Sequence, residues 1–212
     1  MGDIRITEEE MRQALNDRHT EGVQSRISAA RVAVAGLGGL GSNIAVSLAR
    51  IGVGRLHLID FDRVDVTNLN RQQYFADQVG MYKTEALREN LLRINPWLEL
   101  RTDCLRVTEE NATALLRDDM YICEAFDDAG NKAMLVREVL EKLPGTYLVA
   151  ASGMAGYGDG NAIHTRRVSS RFYLCGDETT EAAAGRGLMA PRVALCAAHQ
   201  ANMVLRLILG ER

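Results

Sequence analysis

GLGGLGSN, at positions 36–43, is the stretch that decides the fold. The apolar run VAVA precedes it at 32–35, as expected of a buried parallel strand, and apolar residues recur after it with helical spacing up to Ile51. Glycines let a backbone approach a phosphate closely, and a helix start offers free N–H groups at the positive end of its dipole. The stretch therefore predicts a strand, a phosphate-binding turn and a helix.

The glycine spacing narrows the kind of site. Gly36, Gly38 and Gly41 fit the dinucleotide fingerprint, which requires an acidic residue about 20 positions further on. Asp60 stands 19 positions after Gly41, at the end of the run RLHLID. These features predict a βαβ nucleotide site, and the fingerprint alone leaves the nucleotide open.

Length and composition restrict the class of protein. A chain of 212 residues with 47% apolar residues fits one globular domain, and a net charge of −3 disfavours a nucleic-acid-binding protein. No secretory signal and no membrane-spanning stretch is visible, so we expect a cytoplasmic protein. The four cysteines form no C-x-x-C pair, which predicts reduced thiols and no zinc site.

Strand and helix patterns alternate beyond the glycine turn, which predicts an α/β fold with a Rossmann-like, doubly wound, mainly parallel sheet. Antiparallel strands at 161–168 and 171–175 are expected to extend the sheet, before a closing helix from Pro191. We treat the chain as one domain with three parts: a lead-in at 1–30 with a surface helix at 7–22, a nucleotide-binding core at 31–151, and a C-terminal extension at 152–212.

A long loop after Asp60 concentrates polar residues beyond the carboxyl end of a strand, where sites usually lie. It contains DFD at 60–62 and NLNRQ at 68–72, and Lys83 follows it. A dehydrogenase has no evident need for Arg71 and Lys83, whereas attack on an α-phosphate needs cations to stabilise the reacting phosphorus and the departing pyrophosphate. This favours ATP over NAD. Mg²⁺ needs one or two carboxylates beside phosphates, and Asp127 follows the fourth predicted strand.

In combination these motifs resemble the ubiquitin-activating-enzyme-like adenylyltransferases, the ThiF/MoeB/HesA superfamily, from Arg31 to about Gly210. The resemblance implies ATP and Mg²⁺ as ligands, catalytic roles for Arg71, Lys83 and Asp127, and Asp127 as the Mg²⁺ ligand. It implies that Asp60 binds the ribose and that Asn68 joins Arg71 and Lys83 on the phosphates. The other nucleotide-binding residues that it implies are Gly36, Gly38, Gly39, Gly41, Ser42, Asp62 and Gln72.

Three C-terminal motifs, SGMAGYG at 152–158, YLCGD at 173–177 and GLMAPR at 187–192, resemble the short ThiF branch. That branch adenylates the C-terminal glycine of the sulfur carrier protein ThiS, which ends in Gly-Gly, and releases pyrophosphate, for the thiazole half of thiamine. The resemblance implies a carrier-binding role for the extension and a homodimer in which Arg18 reaches the partner subunit's ATP. Long members carry two C-x-x-C pairs for zinc, which this chain lacks.

Charge determines what this reaction needs. A carrier's carboxylate is already ionised at neutral pH, so the first step requires neither a general base nor a protein nucleophile. The site must align that carboxylate with the α-phosphorus and stabilise what leaves. A sequence without a Ser-His-Asp arrangement is consistent with this requirement.

Other interpretations stay open from the sequence. A relative of TcdA would activate a carboxylate on tRNA, with a basic patch at Arg166, Arg167 and Arg171, and a catalytically silent nucleotide-binding module is a third possibility.

Asp127 could, instead of binding Mg²⁺, cap the helix that begins near Asp128. Cys175 is either an acyl-accepting thiol or, as we favour, a packed strand-end cysteine. We expect burial for the remaining cysteines, Cys104, Cys123 and Cys196.

Overall fold

One seven-stranded sheet organises the molecule. The computed structural model describes residues 5–211, apart from the side chain of Glu21. The strands are β1 (Arg31–Ala35), β2 (Arg55–Ile59), β3 (Glu99–Asp103), β4 (Tyr121–Glu124), β5 (Tyr147–Ala151), β6 (His164–Arg167) and β7 (Phe172–Gly176). They lie in the order β3-β2-β1-β4-β5-β7-β6, and every neighbouring pair is parallel except β6 with β7. The predicted mainly parallel sheet is confirmed, and β7 joins it parallel to β5 with β6 antiparallel at the edge.

Helices cover both faces of this sheet. They are α1 (Glu8–His19), α2 (Glu21–Ser28), α3 (Gly39–Arg50), α4 (Lys83–Ile94), α5 (Ala112–Leu116), α6 (Ala129–Lys142) and α7 (Ala190–Ile208). Apolar residues of α2, α3, α4 and α7 form one core with the sheet, and those of α5 and α6 form a second core on the other face. Within the described part of the chain, none of these helices has the length and apolarity that crossing a membrane requires.

The N-terminal segment differs from its prediction. Thr7 caps α1 as expected, since its hydroxyl accepts a hydrogen bond from the Glu10 N–H and the Glu10 carboxylate accepts one from the Thr7 N–H. The single helix predicted at 7–22 is two helices, because Thr20 has a φ of 69° and ends α1. A residue in this left-handed region cannot continue an α-helix. The prediction of one helix was therefore wrong.

The strand order creates a crevice. The chain moves from β1 to β2 and β3 on one side, and returns to β4 on the other side of β1. In open α/β sheets, ligands bind at the carboxyl ends of the strands where the order reverses in this way. The residues that follow β1, β2 and β4 therefore define the place to look for a site.

Gly41 allows α3 to pack onto the turn that precedes it. A methyl group at Gly41 would lie 1.8 Å from the Gly36 carbonyl oxygen and 3.1 Å from Val34 Cγ1. We expect Gly41→Ala to destabilise the protein by ~1–3 kcal/mol or more, because the backbone must move apart to admit the methyl group. Urea unfolding measures this, with Gly145→Ala as the control, since nothing lies within 4 Å of a methyl group there. Equal unfolding midpoints for the two variants would contradict this account of the turn.

Candidate nucleotide-binding site

The glycine turn presents the start of α3 to the crevice. Gly36 has a φ of 91°, and a methyl group on it would lie 2.7 Å from the Ala125 carbonyl oxygen, so the turn passes directly beside the end of β4. Gly38 is the N-cap of α3 and supplies no side-chain hydrogen bond. The first N–H groups of α3 therefore lack a side-chain cap, and such a helix end binds anions.

Asp60, the first residue after β2, is hydrogen-bonded to the glycine turn. Its Oδ2 accepts a 2.6 Å hydrogen bond from the Leu37 N–H, and its Oδ1 accepts one of 2.8 Å from the Asp62 N–H. Tyr74 donates to the Leu37 carbonyl oxygen at 2.8 Å. The carboxylate predicted to bind ribose is thus buried and fixed against the turn.

Lys83 brings a buried cation to the same place. Its Nζ lies 2.8 Å from Asp62 Oδ2 and 3.9 Å from Asp60 Oδ2. Lys83 is the first residue of α4, where the helix dipole disfavours a cation, so the two carboxylates offset both the burial and the dipole. Asp62 is half exposed, which leaves one side of this ion pair open to a ligand.

Tyr74 is a site residue that the sequence analysis did not single out. Its burial, together with the carboxylates of Asp60 and Asp62, raises the pKa of the Tyr74 hydroxyl well above its usual value. Tyr74 therefore stays neutral and acts as a hydrogen-bond donor to the turn over the whole physiological pH range. The feature of the sequence that could have indicated this role is a tyrosine inside an otherwise polar loop.

The loop between β2 and α4 places Arg71 and Gln72 against the glycine turn. A methyl group on Gly39 would lie 3.5 Å from Arg71 Cδ, and the Arg71 guanidinium donates hydrogen bonds to Thr67 O and Asn70 Oδ1. Gln72 is buried, and its Nε2 lies 3.9 Å from the corresponding methyl position on Gly38. The Gln72 Oε1 has no hydrogen-bond partner within residues 5–211. A ligand that donates a hydrogen bond to this oxygen would recover the roughly 1–3 kcal/mol that a buried unpaired polar group costs.

Three predicted binding residues make contacts that support the turn and its loop. Ser42 is fully buried, and its hydroxyl donates to the Gly38 carbonyl oxygen at 2.7 Å and accepts from the Gln73 N–H at 3.1 Å. Gly39 packs against α7, since a methyl group on it would lie 2.9 Å from Val193 Cγ1. The Asn68 Oδ1 accepts a 3.0 Å hydrogen bond from the Asp65 N–H within the same loop. These contacts do not test the implied roles of the three residues in nucleotide binding, which stay predictions.

Asp127, beyond β4, is exposed and has no hydrogen-bond or ion-pair partner in the described ranges. The neighbouring Asp128 caps α6, since its Oδ1 accepts a 2.7 Å hydrogen bond from the Asn131 N–H. The alternative that Asp127 is the helix cap is therefore wrong. Residues 5–211 contain no group of three or more His, Cys, Asp or Glu side chains that could hold a metal ion.

A buried ion pair beneath this turn was also missed. Glu124, the last residue of β4, is fully buried and contacts Lys132 Nζ through both carboxylate oxygens at 3.0 Å, while its Oε1 accepts from the Phe126 N–H at 2.7 Å. Burial raises the pKa of Glu124, and Lys132 opposes that shift. The pair fixes the turn that leads to Asp127. The feature of the sequence that could have indicated this ion pair is a glutamate at the end of an otherwise apolar strand.

The glycine-rich segment after β5 is held by Asp177. The Gly153 carbonyl oxygen accepts a 2.9 Å hydrogen bond from the Asp177 N–H, and the Asp177 carboxylate pairs with the buried Arg192 of α7. Burial alone would raise the pKa of Asp177, but hydrogen bonds from Thr179, from its neighbour Thr180 and from Arg192 lower it below the usual range. Tyr157, at the tip of the segment, is 82% exposed.

The cysteines divide into three buried and one exposed. Cys175 is buried beside Thr165, and burial raises the pKa of its thiol to about 11, so the structure favours packing over an acyl-accepting role. Cys123 and Cys196 are also buried. Cys104 is exposed, which corrects the expectation of burial: β3 ends at Asp103, one residue before it.

Thiol reactivity should follow this division. We expect a thiol reagent to modify Cys104 quickly in the native protein and Cys175 only after unfolding, because the reagent needs an accessible thiolate and burial disfavours both access and ionisation. Mass spectrometry of peptides after timed alkylation measures it, with the Cys104→Ser variant as the control for the fast phase. Native modification of Cys175 at the rate of Cys104 would contradict the packed state.

A parallel sheet covered on both faces, with a glycine turn after β1 and an acidic residue after β2, defines a Rossmann-like α/β protein. More narrowly, the chain belongs to the ThiF family, whose sequence profile matches residues 11–212. The superfamily resemblance and the fold class inferred from the sequence are both confirmed.

The chain matches different fractions of the length of its relatives. The molybdopterin-synthase adenylyltransferase of Salmonella typhimurium is 32% identical over 194 residues, which are 87% of this chain and 75% of that protein. The adenylyltransferase and sulfurtransferase MOCS3 of Anopheles gambiae is 35% identical over 113 residues, 53% of this chain and 26% of that protein. Ubiquitin-like modifier-activating enzyme 5 of Caenorhabditis elegans is 41% identical over 83 residues, 39% of this chain. The chain spans 20% of that enzyme's length.

Solved structures share the fold. The E. coli tRNA N6-threonylcarbamoyladenosine dehydratase TcdA, in complex with ATP, superposes with a TM-score of 0.86 at 23% identity, covering 98% of each chain. E. coli MccB with succinimide gives a TM-score of 0.67 at 24% identity, covering 88% of this chain and 58% of that one. Identities this low establish the common fold alone.

Proposed function

We propose that this protein is an ATP-dependent adenylyltransferase that activates the C-terminal glycine carboxylate of a ubiquitin-like, ThiS-like sulfur carrier protein and releases pyrophosphate. In this proposal it serves the thiazole branch of thiamine synthesis. The names of two relatives include adenylyltransferase, which supports the reaction class.

One hydrogen-bonded unit carries the proposal. Asp60 accepts from the Leu37 N–H of the glycine turn at 2.6 Å, and Lys83 Nζ lies 3.9 Å from the same carboxylate oxygen. A buried acid, a glycine turn and a buried cation thus lie together, and we propose that the acid binds ribose and the other two bind phosphates. A nucleotide that carries a chain of phosphates fits this combination better than a nicotinamide dinucleotide, whose hydride chemistry has no use for the cation.

The chain's own residues suit carboxylate adenylation. The N–H groups that begin α3 would hold phosphate oxygens, while the acceptors Asp60 and Gln72 Oε1 would receive hydrogen bonds from hydroxyl or amino groups of the nucleotide. Arg71 and Lys83 would neutralise the charge that builds up on the α-phosphorus and on the departing pyrophosphate. The carrier's carboxylate attacks the α-phosphorus, the bond to the bridging oxygen breaks, and an acyl-adenylate and pyrophosphate result. No proton needs to be removed from the nucleophile.

Asp127 is the residue that fits a Mg²⁺ ion in this proposal. Its carboxylate is exposed and has no partner in the part of the chain that the structure describes, so it keeps its full capacity as an oxygen ligand. When bound, Mg²⁺ would supply positive charge to the phosphate oxygens.

The extension and a second subunit complete the proposal. The segment 152–158, with Tyr157 exposed at its tip, would receive the carrier's Gly-Gly tail. Arg18 lies exposed in the last turn of α1, which suits the proposed contact with a partner subunit's ATP in a homodimer.

A second candidate is activation of a carboxylate on tRNA. TcdA, which shares this fold over 98% of both chains, is named as a tRNA dehydratase, and the common fold is compatible with this candidate. Two of the three arginines in the predicted basic patch are already engaged within the protein, which disfavours tRNA binding there. Arg166 is paired with Glu178. Arg171 donates three hydrogen bonds to backbone carbonyls, those of Leu140, Leu143 and Thr146. Of that patch, Arg167 keeps an exposed guanidinium without a carboxylate partner among the described residues.

ATP–pyrophosphate exchange with purified substrates distinguishes these candidates. We expect exchange that depends on a carrier protein ending in Gly-Gly and that disappears when the last glycine is deleted. Exchange that instead requires tRNA, and that falls steeply with salt, would select the second candidate. Binding of ATP without exchange in either case would indicate a silent nucleotide-binding module.

A further inference from the structure

A cleft of about 200 Å³ lies far from the candidate nucleotide site. Its lining residues come from three elements: Thr165 and Arg167 of β6, Tyr173 of β7, and Asn202, Met203 and Arg206 of α7. Arg206 is 13 residues along α7 from Val193, which adjoins the glycine turn, so about 20 Å of helix separates them. The cleft is therefore not part of the site described above.

The polar groups of this cleft are donors of hydrogen bonds. Two guanidinium groups, a carboxamide and two hydroxyls line it, and no carboxylate does. Of the two hydroxyls, that of Thr165 already contacts Cys175 Sγ at 3.4 Å and His199 Nδ1 at 3.0 Å. Asn202 and Arg206 are four residues apart on α7, so both project from the same face of the helix. A surface that gathers cations and donors without an acid attracts an anion.

The Tyr173 hydroxyl indicates that the cleft takes a ligand that can accept a hydrogen bond. It is 3% exposed, and its hydroxyl is buried with no hydrogen-bond partner within residues 5–211. Buried hydroxyls are nearly always paired, because leaving one unpaired is unfavourable. The phenol adjoins Arg167 across the β6–β7 ladder, where the two residues are opposite each other.

The two arginines are available to a ligand. Arg167 uses its Nε to donate to the Ser169 carbonyl oxygen at 3.1 Å, which leaves both terminal nitrogens without a partner in the described structure. Arg206 is exposed, and its guanidinium has no hydrogen-bond or ion-pair partner among the described residues. Their neighbour Arg166 is already neutralised by Glu178 on the other side of β6.

We infer that this cleft is a binding site for a phosphate dianion, either free or carried as a phosphomonoester. Two guanidinium charges match the charge of about −1.5 to −2 that a phosphomonoester carries at pH 7, and exceed the single charge of a phosphodiester. The guanidinium groups of two arginines and the unpaired Tyr173 hydroxyl can each donate to the oxygens of a tetrahedral oxyanion. The volume is below the roughly 300–1,000 Å³ of pockets that enclose drug-sized ligands, so the cleft takes one anionic group.

The variants for the test separate ligand binding from helix stability. Arg206→Gln and Arg167→Gln each remove one guanidinium, and Tyr173→Phe removes only the hydroxyl. Arg50→Gln is the matched control, because Arg50 is an exposed arginine in the last turn of α3, as Arg206 is in the last turn of α7. Each arginine lies near the negative end of its helix dipole, so both substitutions remove the same kind of favourable interaction with the helix. Only Arg206→Gln should in addition weaken binding at the cleft.

The experiment is an amide NMR titration of the whole protein with inorganic phosphate at constant ionic strength. We expect saturable shifts at Thr165 and Asn202, and a Kd at least ~10-fold weaker in Arg206→Gln and Arg167→Gln, as expected for the loss of a charge-assisted hydrogen bond. Tyr173→Phe should weaken binding by a smaller factor, and Arg50→Gln should not change it. Shifts confined to residues 36–41 would report the nucleotide site alone and overturn the inference, as would non-saturable shifts at the cleft.

Two further ligands identify the anion. Phosphoserine that binds as tightly as inorganic phosphate would support a phosphate carried on a larger molecule, and phosphoserine that binds much more weakly would support free phosphate. Dimethyl phosphate that binds as well as inorganic phosphate would contradict a dianion site. This inference does not rest on the proposed adenylation, because all readouts are of binding at the cleft.

Discussion

Replacing Arg71 or Lys83 is expected to lower carrier-dependent ATP–pyrophosphate exchange by at least ~10²-fold, as the loss of one preorganised donor at a transition state typically does. Arg71→Ala removes a guanidinium whose hydrogen bonds are all to its own loop, so the fold should survive. Lys83→Met keeps the length of the side chain and removes its charge. Each change leaves the departing pyrophosphate with one cation fewer.

The control for these two variants is Arg88→Ala. Arg88 is an exposed cation on α4, the helix that begins with Lys83. It should retain full exchange, which would exclude a general effect of removing positive charge. Melting temperatures identify any variant that has lost its fold. Exchange at the original rate in folded Arg71→Ala and Lys83→Met would remove the chemical basis of the proposed function.

Asp127→Asn is expected to abolish Mg²⁺-dependent exchange, with a loss of at least ~10²-fold, and to leave stability unchanged. The reason is that Asp127 makes no hydrogen bond or ion pair within residues 5–211, so only its role as a ligand is removed. A weaker apparent affinity for Mg²⁺ in a titration of the remaining activity would show that the ion is affected.

The adjacent residue provides the opposite control. Asp128→Ala removes the N-cap of α6 and should cost about 0.5–2 kcal/mol of stability while exchange continues. The two aspartates therefore separate catalysis from stability. If Asp127→Asn turned over normally at the original Mg²⁺ concentration, the assignment of the metal ligand would be incorrect.

Local patterns explain what the sequence predicted well. The glycine turn, the strand that ends before Asp60 and the closing helix each depend on residues close together in the chain. The spacing of their apolar residues and the glycines or proline at their ends therefore identified them. The capping box at Thr7 was predictable for the same reason. The break at Thr20 was not, because it follows from a single backbone angle that no neighbouring pattern indicates.

Tertiary register explains what the sequence could not predict. The pairing of Glu124 with Lys132 and the hydrogen bond from Tyr74 to the turn depend on how separate elements meet. The hydrogen bond that the Gln73 N–H donates to the Ser42 hydroxyl likewise joins two separate parts of the chain. The cleft around Tyr173 joins β6, β7 and α7, whose contact no single stretch encodes.

Intact-mass spectrometry of the carrier gives the most direct test of the central claim. A carrier ending in Gly-Gly is incubated with the protein and Mg-ATP, and its mass is measured before and after treatment with hydroxylamine. We predict a carrier heavier by one adenylyl group, an adduct that hydroxylamine removes and that Lys83→Met fails to form. A carrier that stays unmodified while the protein demonstrably binds ATP would contradict the account.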